Sequence, residues 1–377
     1  MRVLRLTALA LCLCLCVCGC SRTGEVENQA YALVMGVDRA ADGGIALTIR
    51  IPRIGQTQGE GEGSGGESDP YRTVSAAGGD YAQALERLQW AVARELNLSQ
   101  LKLVIVSEAL AASEDFKPLI SRIAETRHLY TTAGFVVCEG QARSFIEGQS
   151  IQLGTRLSSE INAMFRHYAD HGVIPRATLA ELYYDTRSGC ADPTAIWGVQ
   201  ESEAAPAGAV IGPDIGQAAG SISSGDSRHY LGAAVFHDGR MACRLDAAET
   251  LCLNLLTGRV KAFMWRFGGR TWSLSSLTAP RRRASLGADG ARAEAVVTLT
   301  AEERVPPEQV QALEDDVAGS LLRLIHRCQA LGVEPFGFSL RAAAGFLTQD
   351  EWWASGWCER FSGAEVAVTV RLVNAPA

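Results

Sequence analysis

The chain has 377 residues, 47% hydrophobic and 20% charged, which is enough apolar material for two or three cores of ordinary size and too much for a disordered chain. Forty-two acidic side chains against 35 basic ones leave a net charge of -7. That sign argues against a nucleic-acid partner and against general adhesion to anionic lipid.

Arg2 and Arg5 precede an apolar stretch from Leu6 to Val17, after which Gly19 and Cys20 lead into polar Ser21-Arg22-Thr23-Gly24-Glu25. This order reads as a lipoprotein export signal, 1–19, cleaved before Cys20, with that cysteine acylated. The run is shorter than the roughly 20 residues a spanning helix needs. Two acyl chains on one cysteine, at about 0.8 kcal/mol per buried CH2, anchor a protein stably where one is marginal. The alternative is an ordinary secretory signal with incidental cysteines, which Cys18 two positions before the cleavage point keeps open.

Residues 31–38 and 45–51 are β-rich and flank an Asp42-Gly43-Gly44 hairpin signal. The Gly, Glu and Ser stretch 55–70 has nothing apolar to bury and is expected as a surface loop; it lacks the Gly-Lys-Ser/Thr ending of a phosphate cradle. A strand near 71–75 precedes a helix expected over 80–98, with Tyr81, Leu85, Leu88, Val92 and Leu96 along one face. Strands at 103–106 and 131–138 alternate with helices at 113–125 and 141–147, and helices at 157–171 and 177–185 follow. Within 188–227, the Ala, Gly, Pro and Ser-rich run 201–225 has no helical or strand period and is expected as a long loop at a domain boundary.

Beyond it, 230–236 and 240–245 flank the tight turn His237-Asp238-Gly239. Asp246 with Glu249 three residues on forms a helix start that Gly258 ends. A β segment at 293–303, a helix over 307–330 opened by Pro306-Pro307, and an alternating strand at 364–372 complete the chain. The expected class is α+β, multi-domain, with mixed sheets and packed helices. The expected division is 20–200 as an N-terminal domain, 201–227 as a linker, 228–280 as a hairpin-helix domain and 281–377 as a C-terminal α+β domain.

Enzymatic motifs such as G-x-S-x-G, H-E-x-x-H or a Walker sequence do not occur. His167 and His171, four apart on a helix beside Asp170, are the best metal candidates, but two histidines at a helix end more often meet terminal carbonyls or water. Trp352, Trp353, Trp357 and Phe361 form the densest aromatic cluster, and the last three recur every four residues, facing the core or a partner groove. Core packing is the preferred reading. Arg281-Arg282-Arg283 is read as a turn-like basic cluster, solvated or in contact with lipid phosphates. Cys138, Cys190, Cys243, Cys252, Cys328 and Cys358 stand in the body without any C-x-x-C pair, and their apolar settings favour buried thiols over disulfides.

Cys20, ALVMGVDRAADGGIALTIRIPR (32–53), GGDYAQALERLQWAVARELNLSQLKLVIVSEALA (78–111), LGAAVFHDGRMACRLDAAET (231–250) and ALEDDVAGSLLRLIHRCQALGVEPFGF (312–338) occur in an order that resembles the Ger(x)C lipoproteins, the C subunits of spore nutrient germinant receptors. The hairpin block from Gly232 with the later Phe336-Gly337 carries the most specificity. The chain departs from the family pattern at Ser21, where Trp is common, and at Glu334-Pro335, where Asp is usual. The resemblance implies a fold of three α+β domains. It also implies a non-enzymatic subunit lipid-anchored through Cys20 on the outer face of the spore inner membrane, working with membrane-embedded A and B subunits. It implies no cofactor beyond the lipid and no metal. The rival readings are a solute-binding lipoprotein of a transporter, which needs two α/β lobes around a cleft, and an envelope hydrolase, for which no nucleophile and base pair is recognisable.

Overall fold

The computed structural model describes residues 28–53, 70–148, 157–188, 191–200, 228–287 and 290–374. The export signal with Cys20, nearly all of the 55–70 stretch, Cys190 and the 201–227 segment lie outside the described residues.

The described chain opens with β1 (Gln29–Tyr31), then β2 (Val34–Arg39), β3 (Ile45–Pro52) and β4 (Tyr71–Gly78), the last three pairing antiparallel as a meander. Helix α1 (Tyr81–Ala91) starts at Asp80, whose carboxylate accepts from Gln83 N at 2.8 Å. It stops seven residues short of the expected end, because Gln89 turns the chain back: its amide oxygen accepts from Leu96 N and its amide nitrogen donates to the Arg94 carbonyl. Residues 95–97 then become β5 (Glu95–Asn97), parallel to β1 in a separate two-stranded ribbon. Here a pairing partner 66 positions away in register, Gln29 for Glu95, overrides helical periodicity.

Strands β6 (Leu103–Ser107) and β7 (Gly134–Cys138) form the centre of the main sheet. Every residue of β6 is buried, as a parallel strand covered on both faces requires. Between them lie α2 (Glu108–Ala111) and α3 (Phe116–Ala124); after them come α4 (Ala142–Glu147), α5 (Leu157–Asp170) and α6 (Leu179–Ser188). The start of α4 is fixed by Asp38 at the end of β2, whose two carboxylate oxygens accept from Ala142 N and Arg143 N at 2.8 and 2.9 Å. Such a carboxylate satisfies two of the donors a helix N-terminus leaves open. The chain continues through β8 (Thr194–Gln200), β9 (Arg228–His237) and β10 (Arg240–Leu245).

These strands form one eight-stranded sheet in the order β10-β9-β8-β7-β6-β2-β3-β4, parallel at its centre and antiparallel at both flanks. Residues 201–227 therefore do not separate two sheets. Gln200 and Arg228, on either side of that segment, are backbone partners in the β8–β9 pair. The hairpin expected to found a separate middle domain is instead the rim of the N-terminal sheet, and β8 is a strand in a stretch to which the sequence reading assigned no element.

Helix α7 (Ala247–Thr257) carries the expected capping box of Asp246 and Glu249 and ends at Gly258 in left-handed conformation. It is followed by β11 (Ala262–Phe267), β12 (Arg270–Ser275), β13 (Arg281–Gly287) and β14 (Gly290–Ala301). The long helix α8 (Pro307–Ala330) has Pro307 at its first position and buries Leu313, Val317, Leu321, Leu324 and Cys328 along the expected face. Three short helices, α9 (Phe338–Ala343), α10 (Gln349–Ala354) and α11 (Trp357–Phe361), lead to β15 (Glu365–Asn374), which runs parallel to β14 over its whole length. The second sheet comprises β11 to β15 and is antiparallel except for that pair.

Arg281-Arg282-Arg283 is thus not a turn but the first half of β13, opposite Val296, Ala295 and Glu294. Cross-strand pairing with β14 and the packing of Ala284 and Leu286 against the core of the second sheet hold this segment as a strand.

Two cores cover the main sheet, one with α1, α3 and α6, the other with α4 and α5. A third fills the second sheet beneath α8, and it also takes in Ala233, Val235 and Leu245 from β9 and β10. Alternation along β9 makes this possible, since Ala234 and Phe236 face the first core while Ala233 and Val235 face the third. The hairpin rim is the shared wall of both halves. Gly232 lets β9 enter that wall: its φ is +97°, and a Cβ there would lie 2.4 Å from the Leu245 carbonyl oxygen. Gly232→Ala is therefore expected to destabilise the protein by about 2 kcal/mol or more, measured by urea denaturation; an unchanged midpoint would remove this glycine from the account of the rim.

Candidate functional site

A polar network centred on buried Glu334 lies where the two halves meet, and it is built from three distant pieces of chain. Asp192 enters just before β8, His237 ends β9 at the tight turn, and Glu334 begins the Glu334–Ser339 segment that leads from α8 into α9. The carboxylate of Asp192 takes His237 Nδ1 on one oxygen at 2.9 Å and Glu334 N on the other at 2.6 Å. In return Asp192 N donates to the Glu334 carbonyl at 3.4 Å. One short side chain thus ties the rim hairpin to the C-terminal half.

Glu334 is buried and turned inward on its own loop. One oxygen accepts from Phe336 N and Phe338 N at 2.9 and 3.0 Å, the other from Ser339 N at 2.8 Å and the Ser339 hydroxyl at 2.5 Å. Burial pushes its carboxyl up to about 7, against the lowering effect of these hydrogen bonds. The Ser339 hydroxyl, able to donate or accept, suits both charge states. The Asp192 hydrogen bond likewise raises His237 above the ordinary imidazole value, with burial acting the other way. Gly337, at φ +75°, completes the loop, and Arg282 from β13 donates through Nη1 to the Phe336 carbonyl.

A cleft of about 150 Å³ opens beside this joint, lined among others by Arg176, Glu181, Asp185, Asn254, Arg259 and Phe336. Asn254 of α7 donates through Nδ2 to the carbonyls of Gly172 and Ile174, both at 3.0 Å, which fastens α7 to the segment after α5. Arg259 reaches the Arg176 carbonyl at 2.6 Å and Glu181 at 3.3 Å. On the other side, Arg327 of α8 binds Glu249 and the Arg244 carbonyl. In each case the polar groups hold backbone across the boundary between the halves. His237 has a carboxylate partner, but among the described residues no hydroxyl or thiol is hydrogen-bonded to its ring. The arrangement supplies cohesion between the two halves.

The residues singled out in the sequence fall elsewhere. His171 Nδ1 lies 2.9 Å from the His167 carbonyl oxygen, the terminal-carbonyl arrangement weighed above, while Asp170 is engaged by Arg176 and Lys261 at 2.8 and 2.9 Å and held below the usual carboxylate range. Among the described residues, no three His, Cys, Asp or Glu side chains are grouped so as to hold a metal ion. Trp352, Trp357 and Phe361 are core, in an aromatic row that continues to Phe338 and Phe336 at centroid spacings of 6.0 to 6.2 Å. Trp353 is 56% exposed, because the four-residue repeat is broken at Gly356, in left-handed conformation between α10 and α11. Cys138, Cys252 and Cys328 are buried, Cys243 is half-buried and Cys358 is exposed. Burial pushes the thiol of Cys252 up to about 12. Asp192 was missed, and nothing local marks it: its two partners lie 45 and 142 positions away.

Residues 22–196 match the family model of the spore germination protein N-terminal domain. A solved structure titled as the crystal structure of the GerBC protein superposes on 91% of this chain and 97% of its own with a TM-score of 0.53, at 10% identity. At that identity the likeness concerns the fold. The putative spore germination protein YfkR of Bacillus subtilis (strain 168) is 27% identical over 124 residues, which is 32% of each chain, so the match spans about a third of that relative. The chain carries a spore germination N-terminal domain. The resemblance to the Ger(x)C proteins read from the sequence agrees with these likenesses.

The joint makes a signed prediction. Glu334 and His237 both have folded values raised above their ordinary ones of 4.5 and 6.5. A raised group contributes stability that is complete below its unfolded value and lost as pH rises through its folded value. Stability is therefore expected to fall as pH rises from about 4.5 through 7, with Glu334 contributing a slope of at most about 1.4 kcal/mol per pH unit. Urea denaturation across that range checks it, and Glu334→Gln is expected to flatten the slope. It should also lower stability by about 1–3 kcal/mol, because its NH2 group would face backbone donors.

Proposed function

We propose that the protein is the C subunit of a spore nutrient germinant receptor, lipid-anchored through Cys20 on the outer face of the spore inner membrane. In this reading it acts with membrane-embedded A and B subunits to trigger germination. It does so as a non-catalytic subunit, without a cofactor beyond the lipid. The observation that carries the reading is the coincidence of a spore germination domain over 22–196 with a fold shared with GerBC across 91% of the chain. Among the described residues no helix is long and apolar enough to cross a membrane, so attachment in this reading rests on the acyl chains. The solute-binding alternative asks for two α/β lobes, whereas the second sheet has a single parallel pair.

Acylation would do more than retain the protein. A subunit confined to the membrane surface meets its partners as a near-intramolecular event, so contacts too weak to hold in solution suffice, with an enhancement of about 100-fold or more.

Affinity purification of the tagged protein from detergent-solubilised spore membranes, with mass spectrometry of the N-terminal peptide and co-purifying chains, is expected to give acylated Cys20 and two multi-pass subunits. Transporter subunits in their place would overturn the receptor reading. Spores carrying Cys20→Ala are expected to lose most of their nutrient response and receptor-bound protein; a full response at normal abundance would refute the role of the anchor.

A further inference from the structure

The second sheet presents a groove of about 850 Å³ whose rim is lined by Arg282 and Arg283 of β13, Arg292 of β14 and Arg341 of α9, with Glu294 and Glu365 as its acidic groups. Four guanidinium groups against two carboxylates make it locally positive in a chain whose net charge is -7. The sheet register builds this arrangement. Arg283 stands opposite Glu294 and Ser285 opposite Arg292, which in turn neighbours Glu365, so these side chains share the exposed face of three adjacent strands.

Little of that positive charge is neutralised from within. Arg292 has one ion pair, to Glu365 at 3.4 Å, with both side chains largely exposed. Among the described residues Arg283 and Arg341 have no ion-pair or hydrogen-bond partner, and Arg282 has no carboxylate partner. Arg282 is half-buried; one of its nitrogens meets the Phe336 carbonyl and its Nε is buried without a partner. Burial, and then the like charge of Arg341, make its cationic form harder to hold. A partly desolvated cation beside a second cation is costly unless an anion compensates it.

We propose that this groove binds a phosphate-bearing anion, held by Arg282, Arg283, Arg292 and Arg341. The guanidinium fork matches both carboxylate and phosphate oxygens. The guanidinium groups that two strands and a helix bring to the lining of one groove offer more donors than the two oxygens of one carboxylate can use, and suit the three or four of a phosphate. The anion can come from a soluble phosphate ester or from a phospholipid headgroup, and the chemistry at the arginines is the same.

The test uses the full mature chain carrying Cys20→Ser, titrated with inorganic phosphate by calorimetry at constant ionic strength balanced with chloride. Saturable binding is expected, weakened about tenfold by Arg283→Ala or Arg341→Ala and unchanged by Arg281→Ala, which lies on the same strand outside the groove. Flotation with phosphatidylglycerol vesicles, against phosphatidylcholine vesicles as control, separates the sources. Flotation that needs Arg283 and Arg341 and is competed by glycerol phosphate assigns the groove to a headgroup; phosphate binding without flotation assigns it to a soluble ester. Absence of saturable binding, or binding that survives the paired substitution Arg283→Ala with Arg341→Ala in a protein of unchanged circular dichroism, overturns the proposal.

Discussion

The carboxylate of Asp192 is the point on which the two halves of the molecule depend. Its oxygens are shared between an imidazole on the rim of one sheet and a backbone amide at the entrance to α9. Hydrophobic contact alone is non-directional and would let the shared wall of β9 and β10 slide over the third core. A carboxylate with two fixed donors removes that freedom, and the reciprocal Asp192 N to Glu334 carbonyl bond fixes the approach of the two segments. Glu334 extends the restraint by shaping the loop that Asp192 grips.

This joint brings together the blocks that carry the family resemblance. The hairpin block contributes His237 and the segment ending in Phe336-Gly337 contributes Glu334, and they meet across Asp192. The departure at Glu334, where the family pattern has Asp, acquires a geometric meaning. The longer side chain reaches four donors on its own loop while its backbone N–H remains free for Asp192. Fold specificity in buried polar networks comes from such complete satisfaction, since a half-satisfied group would be worse than an apolar one.

What could be read from the sequence was local or periodic. The Asp246-Glu249 capping box, Pro307 opening α8 and the tight turn after His237 are short-range chemistry, and they stand where expected. The elements misread or left unassigned were decided by partners far away in the chain. The Thr194–Gln200 strand exists because β7 and β9 flank it, residues 95–97 left their helix for β1, and three arginines became a strand against β14. The aromatic repeat at Trp353, Trp357 and Phe361 misled in a different way: its spacing was helical, but Gly356 broke the helix inside it. The joint itself was invisible, since Asp192 sits in an ordinary Ala-Asp-Pro context and its role exists only once a partner 142 positions away has folded against it.

The pairing of Gln200 with Arg228 has a consequence for how this chain can vary through descent. The connection 201–227 leaves and rejoins the sheet at one place, so its length is not a structural dimension of either half. Doubling or halving such a connection changes the closure entropy by only about 0.6 kcal/mol. Insertions and deletions can therefore accumulate there as nearly neutral changes, while the strands on either side stay bound to a fixed register. Two chains with the same body can differ in the length of that connection and remain interchangeable in fold.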